Sequence, residues 1–201
     1  MTKIKFCGLR REEDVRYAAM LDADYAGFIM SQKFARYVSL EQVLDWKALL
    51  PAKTQTVGVF VDEPLDYVAS CAQDARLDLI QLHGNEDNEY IETIRRRTGL
   101  PVIKMIRPES EEDVRIARES VADYILLDSG VGGTGKTFNW FYAGRLTRDY
   151  FLAGGLNPDN IGEAVRKLHS FAVDVSSGVE DDGVKDFSKM TRFAREVRAN
   201  E

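Results

Sequence analysis

An α/β fold, specifically a closed parallel (β/α)8 barrel of the triosephosphate isomerase type (a TIM barrel), is predicted by two observations on this chain of 201 residues. Apolar, strand-like runs alternate with amphipathic segments eight times, at roughly 25 residues per unit, which suits a barrel with short loops. Polar residues and glycines then gather where the strands end, the rim on which such barrels carry their sites. The periodicity alone also fits an open doubly wound sheet. The placement of the special residues favours the barrel.

The first unit pairs a strand at Lys3–Cys7, broken by Gly8, with a charged amphipathic helix over 12–21. A second apolar run over 25–30 leads through a polar loop to a helix that Ser39 caps, with Leu40, Val43, Leu44 and Leu50 on its apolar face. The third strand spans 55–61, and Pro64 stands where its helix begins, with Leu65, Val68, Ala69 and Ala72 at helical spacing. Leu79–Leu82 is the fourth strand, ending in His83-Gly84; Asn85 is the expected cap of a helix through Tyr90, Ile91 and Ile94 to Gly99. Strand five covers 101–106 with a helix near 111–118, and strand six covers 123–128 with a helix near 140–146. Strand seven, 150–153, ends in Gly154-Gly155, and Asn157-Pro158 open its helix. Strand eight, 171–175, ends in Ser176-Ser177-Gly178, and a helix over 187–197 closes the chain.

Composition bounds the function. With 44% hydrophobic and 30% charged residues and only 5 prolines, residues 1–201 are expected to form one soluble domain without a linker. No apolar run approaches the ~18 residues of a membrane span and the start lacks a signal peptide's apolar region, so a cytoplasmic protein is expected. A net charge of -6 argues against a nucleic-acid surface. Cys7 and Cys71 lie far apart without metal-ligand spacing and the chain has 2 histidines, so neither a metal site nor a disulfide is implied.

The stretch after strand six is open to two readings. Residues 130–137 spell G-x-x-x-x-G-K-[ST], the phosphate-cradling loop of nucleotide hydrolases, for which Asp174 at the end of an apolar run offers a magnesium partner. Read from Asp128, the same stretch is a barrel loop with a catalytic acid at its root. At the expected strand ends stand Cys7, Arg36, Gln81, His83, Arg107, Asp128, Gly154, Gly155 and the run from Asp174 to Gly178. Glycine loops after strands six, seven and eight are placed to aim backbone N–H groups at one anion. Glycines that only permit tight turns are the alternative.

Six motifs in register carry a resemblance. They are Phe6-Cys7-Gly8; Gly27-Phe28-Ile29 with Arg36-Tyr37-Val38; Gln81-Leu82-His83-Gly84; Asp128-Ser129 with Gly132-Gly133-Thr134-Gly135; Leu152-Ala153-Gly154-Gly155-Leu156; and Asp174-Val175-Ser176-Ser177-Gly178-Val179-Glu180. Across the whole chain these resemble the phosphoribosylanthranilate isomerase family of tryptophan biosynthesis. One departure stands out: the family usually has Ser-Pro immediately before the arginine, where this chain has Phe34-Ala35.

The resemblance implies a cofactor-independent Amadori rearrangement of N-(5-phosphoribosyl)anthranilate, a small-molecule substrate, with no nucleic-acid or membrane partner. It matches Cys7 and Asp128 to the family's base and acid, and Arg36 to the anthranilate carboxylate. Gln81, His83 and Asp174 are expected at the substrate, His83 and Asp174 being equally placed to support other groups. Gly132, Gly133, Gly154, Gly155, Ser177 and Gly178 are expected at the phosphate. A free carboxyl near ~3.9 and a free thiol near ~8.5 would both need shifting, Asp128 by burial or substrate binding and Cys7 by an electropositive setting. A homodimer is compatible with the sequence. Two other functions stay open: a magnesium-dependent nucleotide hydrolase using residues 130–137, and a sugar-phosphate-binding barrel without turnover, against which the presence of both Cys7 and Asp128 speaks.

Overall fold

The computed structural model describes residues 1–128 and 140–201. Eight strands close into a parallel barrel in chain order: β1 Lys3–Cys7, β2 Tyr25–Ile29, β3 Gln55–Phe60, β4 Leu79–Leu82, β5 Val102–Ile106, β6 Tyr124–Leu127, β7 Tyr150–Leu152 and β8 Ala172–Val175. Closure between β1 and β8, with Lys5 opposite Asp174, excludes the open sheet. The helices are α1 Glu12–Met20, α2 Leu40–Lys47, α3 Leu65–Asp74, α4 Asn88–Thr98, α5 Glu111–Glu119, α6 Trp140–Ala143, α7 Ile161–Leu168 and α8 Phe187–Ala199.

Alternation along each strand divides the core in two. Ile4, Phe6, Ala26, Phe28, Ile80 and Leu82 join the helices in one large outer cluster. Tyr25, Val57, Leu79, Ile103, Leu126 and Phe151 form a second cluster inside the barrel, so its lower half is packed solid. The functional rim stands on this floor.

Local chemistry explains most helix starts. Ser39 and Gln42 form a reciprocal capping box at α2, and Ser110 and Asp186 accept from the third backbone N–H of α5 and α8. At α1 the Asp14 carboxylate accepts from the N–H groups of Arg10 and Arg11. Gly99 ends α4 at φ 70°, a left-handed cap that favours glycine.

Pro64 stands at the start of α3 as its N-cap, where the sequence puts it. Two expected starts move. Asp87, not Asn85, caps α4 by accepting from Tyr90 N–H, because Asp62 engages both the backbone and side-chain nitrogens of Asn85. Asn157 accepts from Asp159 N–H through its side chain and from Ile161 N–H through its carbonyl, so it opens a turn, and α7 begins only at Ile161. A short hairpin, β9 Glu180–Asp181 with β10 Val184–Lys185, follows β8 and has no counterpart in the sequence reading.

Candidate active site

Two residues of β1 that share its inward face, Lys5 and Cys7, begin the site. Lys5 is fully buried, and its Nζ lies 3.0 Å from Asp174 Oδ1, its register partner on β8. A buried ammonium without an anion would be costly, so this pairing is what permits a lysine inside the barrel. Gly27 on β2 makes the space: a Cβ there would stand 3.0 Å from Cys7 Sγ and 3.2 Å from Lys5 Nζ.

Burial sets the proton affinities of this group. It pushes the Cys7 thiol up, against the opposing pull of Lys5 and Lys185. The electropositive setting expected for Cys7 is therefore present but outweighed. Burial also pushes Asp174 up against Lys5, while Lys5, which burial alone would lower, is held above its ordinary value by Asp174 and Cys7.

On the other side of the strand order, Gln81 and His83 follow each other on the inner face at the end of β4, with Gln81 Nε2 donating to His83 Nδ1 at 2.9 Å. That pairing leaves the imidazole proton on Nε2, which is 3.7 Å from Asp128 Oδ2 just beyond β6. Burial lowers His83 despite the Asp128 carboxylate, which favours the neutral ring. Gln81 is buried, and its Oε1 has no hydrogen-bond partner among the described residues.

Arg36 reaches the rim from the loop after β2. Its guanidinium donates to Glu180 Oε2 at 2.9 Å and to Ser176 Oγ at 3.1 Å. Glu180 Oε1 takes Lys185 Nζ at 2.7 Å, so one carboxylate on the hairpin holds both cations. Gly8, at φ 70°, lets the chain pass: a Cβ there would sit 3.0 Å from Ser176 Oγ. Gly178 is more tightly required, since its Cβ would fall 1.9 Å from the Leu156 carbonyl oxygen. The loops after β7 and β8 are thereby pressed together, with Gly154 and Gly155 at φ 84° and 65° on one side and Ser177 opening a 3-10 turn on the other. The first N–H groups of such a turn lack intrahelical acceptors and suit an anion.

A cavity of about 260 Å³ unites these residues: Cys7, Arg36, Gln81, His83, Asp128, Gly154, Gly155, Asp174, Ser177 and Gly178 all line it. Phe34, of the Phe34-Ala35 departure, forms part of its wall. Arg107, grouped with these by its strand-end position, is exposed and does not line the cavity. Gly132, Gly133 and the rest of the 130–137 motif lie outside the described residues. Asp174, the magnesium candidate of the nucleotide reading, is instead ion-paired to Lys5.

Lys5 and Lys185 were not among the expected site residues. For Lys5 the signal was available, because a strand whose Cys7 faces inward must also turn Lys5 inward. Lys185 carried none, since the short hairpin that buries it has no periodic pattern.

The family model for N-(5'-phosphoribosyl)anthranilate isomerase matches residues 4–196 of the chain. The curated N-(5'-phosphoribosyl)anthranilate isomerase of Thermoanaerobacter sp. (strain X514) is 44% identical over 204 aligned positions, covering 98% of each protein. The crystal structure of phosphoribosyl anthranilate isomerase from Thermus thermophilus superposes with a TM-score of 0.90 at 32% identity, over 100% of both chains. A further phosphoribosyl anthranilate isomerase, solved in complex with reduced 1-(o-carboxyphenylamino)-1-deoxyribulose 5-phosphate, gives 0.86 at 35% identity over 99% of this chain and 100% of its own.

Proposed function

The chain belongs to the N-(5'-phosphoribosyl)anthranilate isomerase family of tryptophan biosynthesis, and from that premise we propose how its own residues divide the work. Asp128 is the general acid: it protonates the furanose oxygen as the C1–O bond breaks, leaving an iminium ion. Cys7, as thiolate, is the general base that takes the proton from C2. The enolamine so formed tautomerises to the aminoketose, 1-(2-carboxyphenylamino)-1-deoxyribulose 5-phosphate. Both proton transfers are of the kind that a positioned side chain accelerates by ~10²–10⁴-fold.

The observation that carries this reading is convergence: an acid from the end of β6 and a thiol from the end of β1 line one cavity with a guanidinium and two glycine loops. Arg36 receives the anthranilate carboxylate, keeping Glu180 as the anchor that orients its fork. The phosphate docks on backbone N–H groups around Gly154, Gly155, Ser177 and Gly178, with Gly132 and Gly133 assigned to it from sequence. Gln81 Oε1 accepts from a substrate hydroxyl, which would satisfy its missing hydrogen bond. His83 and Asp174 act from behind, on Asp128 and Lys5 respectively. The reading treats 1–201 as one cytoplasmic barrel domain acting on a small molecule, without a nucleic-acid or membrane partner. Among the described residues no helix is long and apolar enough to cross a membrane.

Purified protein given freshly generated N-(5'-phosphoribosyl)anthranilate in EDTA is expected to abolish its fluorescence catalytically. Arg36→Ala is expected to raise KM. Absence of turnover with wild-type protein sinks the reading, and a KM untouched in the variant removes the carboxylate contact.

A further inference from the structure

Lys5 has no role in the acid–base scheme, yet it is fully buried inside the barrel. Its ammonium is 0% exposed, 3.0 Å from Asp174, and shares with Cys7 the small space that Gly27 leaves open. A charge buried this deeply is destabilising unless fully compensated, and an apolar residue of similar length would fill the same volume without that cost. Interior positions on neighbouring strands, Val57 and Ile103 among them, are apolar.

We propose that Lys5 is a positioning residue that stabilises the Cys7 thiolate during turnover, with Asp174 as its counter-ion when the thiol is protonated. The inference rests on Cys7 being the base. In the resting protein Asp174 is the anion paired with Lys5. When the Cys7 proton leaves to solvent, the ammonium faces a second anion on its own strand and divides its charge between the two. After the thiolate takes the C2 proton, Asp174 again becomes the principal partner.

Among the described residues, few charged and titratable groups face this centre. Lys5 approaches from β1, Asp174 from β8 and Lys185 from the hairpin, while His83 and Asp128, from the ends of β4 and β6, act on Asp174. Lys185 has Glu180 as its own buried partner at 2.7 Å. Lys5 therefore has the largest leverage on the thiol, and Asp174 opposes it.

The test is the pH dependence of Cys7 alkylation by iodoacetamide, measured in a Cys71→Ser background so that one thiol remains, beside the pH profile of kcat/KM. Lys5→Met is expected to move both midpoints upward by about one pH unit or more, a tenfold loss of thiolate at a given pH. Asp174→Asn is expected to move the alkylation midpoint downward, because it removes the competing carboxylate. Should Lys5→Met fail to fold with its carboxylate stranded, Lys5→Met/Asp174→Asn removes both charges together and is expected to lie above wild type. A midpoint unchanged in the lysine variants, or moved upward by Asp174→Asn, overturns the proposal. Alkylation needs no turnover, so it reads the hold of Lys5 on the thiol even if Cys7→Ser were to isomerise normally, the result that would instead remove Cys7 as base.

Discussion

The floor and the mouth of the barrel interior are built by the same strands, often by residues two apart, and they follow opposite rules. Tyr25, Leu79, Leu126, Phe151 and Ala172 belong to one apolar cluster, in which the Phe151 ring meets Tyr25 at 5.1 Å and Tyr124 at 5.7 Å. One inward step further along the same strands come Gly27, Gln81, Asp128, Ala153 and Asp174. Aromatic bulk gives way to small residues, amides and carboxylates. Close packing below fixes the strands, and that rigidity is what allows costly buried charges to be held a few ångströms above. Stability is therefore concentrated in the floor and chemistry in the mouth.

Substitutions can break this division. Cys7→Ser and Asp128→Asn should show the largest effects, each lowering kcat by ~10²–10⁴-fold while the urea midpoint stays close to wild type. Phe151→Ala should do the reverse, costing about 3–5 kcal/mol of stability and leaving kcat per folded molecule nearly intact. If unfolding curves show the mouth variants as the unstable ones, the division is wrong.

Smaller effects sharpen the picture within the mouth. Arg36→Ala removes the proposed charge-assisted contact to the substrate carboxylate, so KM should rise by about tenfold or more, with a lesser change in kcat. The pH profile has a definite sign. As the proposed base, Cys7 must lose its proton to act, and burial pushes its thiol up, so kcat/KM should still be climbing above about pH 8. A flat profile through that range would remove the thiol as the titrating base. Ser39→Ala, at the cap of α2 and outside the cavity lining, should cost about 1 kcal/mol and leave kcat unchanged.

The two regions also differ in how readily sequence exposes them. The strands announce themselves as short apolar runs, and all eight appear in the structure within a residue or two of where those runs stand. That Cys7, Gln81, His83, Asp128 and the Gly154-Gly155 pair share one rim is legible because each sits at or near a strand end. The pairings behind them were not. Lys5 meets a partner 169 residues away, and no local pattern encodes a contact made only when β8 closes against β1. Glu180 was visible in a motif, but its joint hold on Arg36 and Lys185 depends on the hairpin. Asn85 misled because its capping chemistry is taken up by Asp62, again a tertiary competitor.

The proposed role of Asp128, supplying the proton that opens the sugar ring, can be followed by single-turnover stopped-flow with protein in excess over N-(5'-phosphoribosyl)anthranilate. Wild-type protein should extinguish the substrate's fluorescence in one rapid phase. Asp128→Asn should bind the substrate and leave that fluorescence essentially undiminished on the same timescale. Loss of signal in the variant at the wild-type rate would contradict the assignment.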